Sequence, residues 1–471
     1  MSSIIAPNAD KKLSYEGFEC VFEYMEPNFR FHLAQKLPAI RSIEKAFPLQ
    51  ISKLSFSRTG FTINDTEYCL GVICEAREGP TPEKLKWENE RGGFDMDVDE
   101  YGFEDPFEEF QLTSGDILVK KWFARRPKSL ELVEKSVEKY EKELWDLEDE
   151  KSELEASIKK RESIREAAAK NQKDLPEGRN ARNKRIWKER RIIQLDNTIT
   201  DTKRRLDNER VELAYHRLER NELPSPLDIY IQLTRTSPDG TVYTERVQYN
   251  KWFNEARRYL TTKFLGNRVL APKVKTLRFW AEHYQSLVIP LPNKLKLDVE
   301  EFETCGDISD VLERVETILE HPKRPFARLK SGNLELKDVQ HPKVRSAGVL
   351  ILSYVGINVD WVQLCSALPN KKIVIDHDQT MFSTQYGELV QNIIDKKATL
   401  GTCYQIYSHE DKARRVLKDV GRRFENAVVG ERLVSIPLPY LLQLDVSHGR
   451  NEDPQLPYRD WFVKMEVVQT N

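Results

Sequence analysis

From Ser129 onward the apolar residues recur every three or four positions: Leu130, Val133, Val137, Tyr140, Leu144, Leu147, Leu154 and Ile158, with one break at Lys151. A period near 3.5 held over that length gives a helix one continuous apolar seam, and a seam on an otherwise charged rod must be covered by a second helix. Ile192, Leu195, Ile199, Leu206 and Leu213 supply it in the same register, with Thr202 and Glu209 at two seam positions. Between the two runs, "NQKDLPEGRNARN" holds Pro176 and Gly178, which interrupt a helix. Residues 129–222 therefore read as an antiparallel coiled-coil hairpin. Charge supports the pairing: Ser129 to Lys170 carries 13 acids against 9 bases, whereas Arg179 to Asn221 carries 13 bases against 7 acids.

At about 40 residues per arm the hairpin would project on the order of 60 Å. An arm of that kind is a spacer, a dimerising element or a docking rod, and the pattern leaves pairing within or between chains open. Its basic run "RNARNKRIWKERR", Arg179 to Arg191, reads as a solvated, paired helix face, with nuclear import or nucleic-acid contact as the alternative.

Outside the arm the chain has globular character, and 74 basic against 76 acidic side chains leave no global field toward nucleic acid or anionic membrane. The longest apolar stretch, around "AGVLILSYVGI", is too short to span a bilayer, and "MSSIIAPNADKK" lacks the features of a signal peptide. The expected location is the cytoplasm or nucleus. Cys20, Cys69, Cys74, Cys305, Cys365 and Cys403 are scattered, without a CxxC pair or histidines at ligand spacing. They read as reduced, mostly buried thiols, and no cofactor or metal is expected.

Residues 53–128 read as a β-rich meander with an acidic surface loop. In that loop Asp95, Asp97 and Asp99 have the spacing of a calcium loop's start, but Glu100 stands where the sharp turn needs Gly and Pro106 where a bidentate Glu is required. Residues 227–468 open with a β-hairpin turning at Ser237 to Gly240 and a helix from Lys251 to Phe264. Short apolar strands then alternate with helices, which argues for parallel strands and crossover connections. Their irregular spacing suits a leucine-rich-repeat-like solenoid or an open α/β layer. The fold class expected is a multidomain α+β and α/β chain.

The head, residues 13–52, carries three short helical runs. In the first, Phe18, Val21, Phe22 and Met25 are placed on one face; Pro27 and Asn28 end it and cap a second run with Phe29, Phe31, Leu33 and Leu37; a third spans Ala39 to Lys45. Such a module has more apolar surface than it can bury alone, and the plain alternative is a helical cap on the domain itself.

These residues resemble an F-box. Leu13 and Tyr15 stand at the opening signature, "VFEYMEP" at the helix that ends in proline, and Leu33, Leu37 and Ile40 at later apolar positions. Through "CVFEYMEPNFRF", "AIRSIEKAFPLQISKL", "RGGFDMDVDEYGF" and "LPNKLKLDVEEFETCGDI" the chain resembles the nematode F-box C family. The resemblance implies docking on a Skp1-like adaptor through Leu13, Tyr15, Phe18, Val21, Phe22, Met25, Pro27 and Leu33. It further implies a substrate-receptor role in a Skp1-cullin ubiquitin ligase, with a protein target held by the tail and the arm as an insertion.

Two other readings compete. One is a coiled-coil scaffold that self-associates through the arm. The other is a magnesium-dependent phosphatase, for which "KKIVIDHDQTMF" places Asp376 and Asp378 at a strand end like a nucleophile and acid/base pair. The later acidic magnesium motif is missing, and a strand-end turn accounts for both residues. A non-enzymatic adaptor is the reading the sequence favours.

Overall fold

The computed structural model describes residues 15–105, 112–120, 128–170, 179–281, 287–353, 360–376, 381–451 and 460–470. Leu13, Asp378, Thr380, Pro176 and Gly178 lie outside them, and the side chains of Tyr15 and Phe18 are likewise outside the description.

The chain begins with helices α1 (Tyr15–Tyr24), α2 (Pro27–Lys36) and α3 (Arg41–Ala46), followed by strands β1 (Gln50–Phe56), β2 (Gly60–Ile63) and β3 (Thr66–Ala76). Helix α4 (Glu83–Glu90) and strand β4 (Ile117–Lys120) lead into two long helices, α5 (Leu130–Lys170) and α6 (Arg179–Arg220). Next come β5 (Leu227–Thr236), β6 (Val242–Gln248), α7 (Phe253–Leu265), β7 (Lys273–Phe279), β8 (Leu287–Ile289) and β9 (Asp298–Asp307). Alternation follows: α8 (Ile308–Val315), β10 (Arg328–Asn333), α9 (Pro342–Ser346), β11 (Val349–Leu352), α10 (Trp361–Ala367), β12 (Lys372–Ile375), α11 (Ser383–Asp395), β13 (Cys403–Ser408) and α12 (Glu410–Arg423). Strands β14 (Val428–Val429), β15 (Leu433–Leu438), β16 (Leu442–Arg450) and β17 (Trp461–Gln469) close the chain.

The fold is mixed α/β, and one large sheet organises it. Among the described residues fifteen strands pair in the order β14-β15-β16-β17-β13-β12-β11-β10-β9-β7-β1-β2-β3-β5-β6, and β4 pairs with β8 apart from it. From β1 through β7 and β9 to β13 every neighbouring pair is parallel. Antiparallel strands flank this run on both sides. Because the order never reverses from β9 to β13, connections of one hand fall on one side of the sheet. On that side Phe302, Leu329, Leu350, Ile373 and Ile406 join Val311, Trp361, Leu389 and Val416 of the helices in a single core. The opposite side carries a row of aligned residues, Arg278, Glu303, Lys330, Ile351, Val374, Gln405 and Lys464.

This sheet corrects the expected division at residues 53–128 and 227–468. Strand β1 sits between β2 and β7, and β3 pairs with β5 along ten residues, so the meander and the tail are one structure. An inner strand must satisfy backbone donors and acceptors on both edges, and here the partners come from beyond residue 227. The expected acidic surface loop is also partly core: Phe94, Val98 and Tyr101 are buried.

Helices α5 and α6 leave the body as an excursion between β4 and β5 and run antiparallel. The direction follows from their ion pairs: Glu134–Arg217 (3.7 Å), Glu141–Arg210 (2.8 Å), Glu148–Lys203 (2.8 Å) and Glu150–Arg191 (2.8 Å). Leu195, Ile199, Leu206 and Leu213 are buried with Val133 and Val137, whereas Leu130, Tyr140, Leu144, Leu147 and Ile192 are half-buried. Lys151, the break in the first run, meets Asp196 at 2.6 Å. Glu209 pairs with Lys128. At the root of the excursion the Phe103 and His216 rings stack at 4.2 Å, and the Tyr101 hydroxyl donates to the Leu223 carbonyl at 2.7 Å.

Candidate functional site

The surface formed by α1 and α2 is defined by what holds its inner side. Phe22, Arg30, Phe31 and Ala34 face inward and are buried. The Phe31 ring meets the edge of Phe264 at 4.8 Å, and the Phe22 ring lies 5.3 Å from the Arg30 guanidinium. Arg30 is fully enclosed because its donors reach three carbonyls, those of Pro48 (2.6 Å), Glu44 (2.9 Å) and Phe47 (3.4 Å). Its charge is answered by Glu44 at 3.5 Å, and Glu44 also binds Arg268 at 2.6 Å. Burial still drives the Arg30 guanidinium down to about 10, with Glu44 opposing the shift. Arg268 is lowered for the same reason.

The next residue fastens the same junction. The Lys45 ammonium donates to the carbonyls of Lys263 (2.8 Å), Phe264 (3.2 Å) and Gly266 (2.8 Å), capping the orphan acceptors at the end of α7. Burial, then the nearby Arg268 charge, lowers its pKa to about 8. On the other flank Asn28 donates to the Ile63 carbonyl (3.0 Å) and accepts from the Tyr68 hydroxyl (3.0 Å). The head is thus bolted to β2, β3 and α7.

With that side fixed, other apolar side chains are left outside. Tyr24 is 83% exposed, Phe29 54%, Leu37 50% and Val21 47%; Met25, Leu33 and Ile40 are half-buried. Phe29 and Leu33 of α2 and Leu37 at its C-cap follow one another at intervals of four and make a stripe on its outer side.

Two sequence expectations are corrected. Val21 and Phe22 do not share a face: neighbouring helical residues lie about 100° apart, and the contact with Phe47 takes Phe22 inward while Val21 points to solvent. Pro27 does not end α1 but is the first residue of α2, buried there, with Glu26 as the cap through a bond from the Phe29 amide (2.9 Å).

The other candidates are placed as follows. Asp376 ends β12, where its carboxylate meets the Lys330 ammonium at 3.2 Å and accepts from the Ser353 hydroxyl at 2.7 Å. Asp95, Asp97 and Asp99 do not converge: Asp95 pairs with Arg58 (2.8 Å), Asp99 accepts from the amides of Tyr101 and Phe103, and Asp97 accepts from the Tyr249 hydroxyl (2.6 Å) and the Phe253 amide (2.5 Å). In the basic run Lys188 and Arg191 are turned to α5, bonding Ser157 and Glu150. The six cysteines are free thiols; Cys74 and Cys365 are buried, Cys69, Cys305 and Cys403 intermediate, and Cys20 is exposed. Among the described residues no three His, Cys, Asp or Glu side chains gather as a metal site, and no helix is long and apolar enough to cross a membrane.

Sequence reasoning missed the Arg30–Glu44–Arg268 cluster. The one available signal was Arg30 inside the apolar run "FRFHLA", and the sequence does not connect it with Arg268, 238 positions later.

In comparison with known proteins, a family model described as a domain of unknown function (DUF3557) matches residues 253–410, about a third of the chain. The matched span runs from α7 to the start of α12 and so covers the parallel run from β7 to β13. No curated protein and no solved structure matches the chain.

Proposed function

We propose that this chain is a non-enzymatic adaptor, the substrate receptor of a Skp1-cullin-F-box type ubiquitin ligase in the cytoplasm or nucleus. The outer side of α1 and α2 docks a Skp1-like protein, with Val21, Met25 and Leu33 joined by the exposed Tyr24, Phe29 and Leu37. Phe22 and Pro27, which the resemblance had counted as contacts, instead build the inner wall. The observation that carries the reading is the outer stripe itself: a helix so firmly held on one side leaves Phe29 and its C-cap Leu37 exposed, with Leu33 half-buried between them. Hydrophobic contacts would supply most of the affinity, with a few large side chains dominating.

The target would be a protein held by the side of the parallel run that carries no described helix, where a leucine-rich-repeat-like succession of strands aligns Arg278, Glu303, Lys330, Gln405 and Lys464 about the apolar Ile351 and Val374. The long helices are read as an antiparallel coiled-coil hairpin, since their ion pairs join positions flanking the two apolar runs. The phosphatase alternative draws little support from Asp376, a carboxylate already engaged by Lys330 and Ser353.

A second reading, the scaffold that self-associates through the arm, rests on Trp145 and Trp187, both more than half exposed on α5 and α6.

The test is a pull-down of the full chain with purified Skp1, alongside Val21→Asp and Phe29→Asp, whose side chains face outward and can change without unfolding the head. Capture by the intact chain and loss in both variants is the expected result. Failure of the intact, folded chain to bind Skp1 would overturn the reading.

A further inference from the structure

Strand β6 ends the large sheet, and all seven of its residues are exposed. Its inner edge pairs with β5 from Thr236↔Val242 to Tyr230↔Gln248. Two amides set the phase of the ladder: Arg77 donates to the Pro226 carbonyl (2.9 Å) and Tyr249 to the Ile229 carbonyl (3.2 Å). Hydrogen-bonded and non-bonded pairs alternate in an antiparallel ladder. Residues 228, 230, 232, 234 and 236 therefore bond to β3, and 229, 231, 233 and 235 bond to β6. It follows that Tyr243, Glu245 and Val247 are turned to β5. Val242, Thr244, Arg246 and Gln248 point their N–H and C=O groups away from the sheet, and no described strand meets them.

Edges of this kind are normally blunted by proline, by a bulge, by outward charge or by brevity. Strand β6 has no proline and no glycine. Of its two charged residues, Arg246 is drawn back to Glu75 (2.6 Å) and Gln232 (2.8 Å).

The occupant is argued from self-complementarity. Two copies related by a two-fold axis pair antiparallel with one residue on the axis, and that residue faces its own copy. Glu245 or Arg246 on the axis would set like charges opposite each other. Thr244 on the axis sets threonine against threonine, Arg246 against Val242 and Glu245 against Tyr243. The last pair is decisive. Arg235 lies over the Tyr243 ring at 5.4 Å, and its Nε is buried without a hydrogen-bond partner among the described residues. Glu245 of the second copy would enter the same row, next to that guanidinium, and the symmetry repeats the pairing.

We propose that β6 is a homodimerisation edge: two copies pair β6 to β6 about Thr244 and join their sheets into one. The pairing is independent of the adaptor reading and of the long helices.

Sedimentation velocity of the full chain over a wide concentration range tests it. The wild type shows a reversible monomer–dimer equilibrium. Thr244→Pro removes an outward N–H without touching a bond to β5 and raises the dissociation constant on the order of tenfold or more. Arg235→Glu and Glu245→Arg each weaken the dimer, and mixing the two single variants restores it as a heterodimer, a rescue that neither misfolding nor the diagonal pair within one chain can mimic. Thr244→Cys forms a disulfide-linked dimer on mild oxidation, because residues paired on the axis stand about 5.5 Å apart at Cα. A chain that stays monomeric, a dimer indifferent to Thr244→Pro, or a mixture of the two single charge variants without rescue would each overturn the proposal.

Discussion

Glu44→Gln is the perturbation that most directly tests how the head is held. Among the described residues Glu44 is the one anion between two buried cations, 2.6 Å from Arg268 and 3.5 Å from Arg30. Removing its charge leaves two guanidinium groups facing each other in a poorly solvated space, and breaking a buried pair costs roughly 3–5 kcal/mol. Neutral carbonyls soften the loss: Arg30 keeps its bonds to Pro48, Glu44 and Phe47, and Arg268 keeps those to Glu44 and Phe264. The expected cost therefore sits at the low end, about 3 kcal/mol. Urea unfolding of the full chain, followed by tryptophan fluorescence and far-ultraviolet circular dichroism, measures it. Arg414→Ala, which removes an exposed pair with Glu410 one turn away on α12, is the control, at about 0.5 kcal/mol or less. If Glu44→Gln costs no more than Arg414→Ala, the cluster does not hold the head, and the rigid inner side that defines the outer stripe loses its basis.

Two further outcomes are expected. Gly306→Ala should destabilise the chain by about 2–3 kcal/mol in thermal or urea unfolding, because its Cβ would come 2.0 Å from the Val119 carbonyl where β4 crosses β9, and backbone cannot move aside as a side chain can. Acid should loosen the long helices before the sheet. Arg191 lowers the Glu150 carboxyl and Arg204 lowers that of Asp201, so the unfolded chain binds protons first; the stabilisation is present above the usual carboxylate range and is lost as pH falls through the lowered values. Circular dichroism at 222 nm during acid titration, compared with a Glu150→Gln, Asp201→Asn variant that should titrate more shallowly, reads this directly.

What could be read in the sequence was what is local. The two long helices declare themselves because a heptad seam is written into neighbouring residues, and even the exceptions, Lys151 and Glu209, have answering charges at Asp196 and Lys128. The alternating strands and helices after residue 298 were legible for the same reason. Pairing was not. Nothing near Gln50–Phe56 announces that its parallel neighbour is Lys273–Phe279, since the ladder depends on backbone geometry and not on side-chain identity. Strand β16 carries a local signal of its own, Leu442, Leu444 and Val446 alternating with Gln443, Asp445 and Ser447, and Leu444 and Val446 are fully buried. In the candidate site, Glu44 looks like an ordinary helix charge, and only the chain's return at Arg268 turns it inward.

On the adaptor reading, the parallel ladder between β1 and β7 would fix how partner and target are held. A docking head on a flexible tether would let a bound target wander relative to the partner, and transfer would depend on chance encounter. Here the head joins β1 without a linker, since α3 ends at Ala46 and β1 begins at Gln50, and β1 is an inner strand of the sheet whose far side carries the row from Arg278 to Lys464. Lys45 and Glu44 tie the same head to the end of α7, a helix of the matched tail domain. The outer stripe of α2 and the side of the sheet that carries no described helix are therefore fixed relative to each other by backbone pairing and a buried ion cluster. On the adaptor reading, the distance between partner and target is set by the number of strands between them, at about 4.8 Å per strand, and not by a linker. Inserting a flexible glycine-serine segment between Phe47 and Leu49, together with Glu44→Gln and Lys45→Ala to release the ties to α7, should then leave Skp1 binding intact while impairing target modification, with the two measured separately; equal transfer by the loosened chain would show that rigidity plays no part.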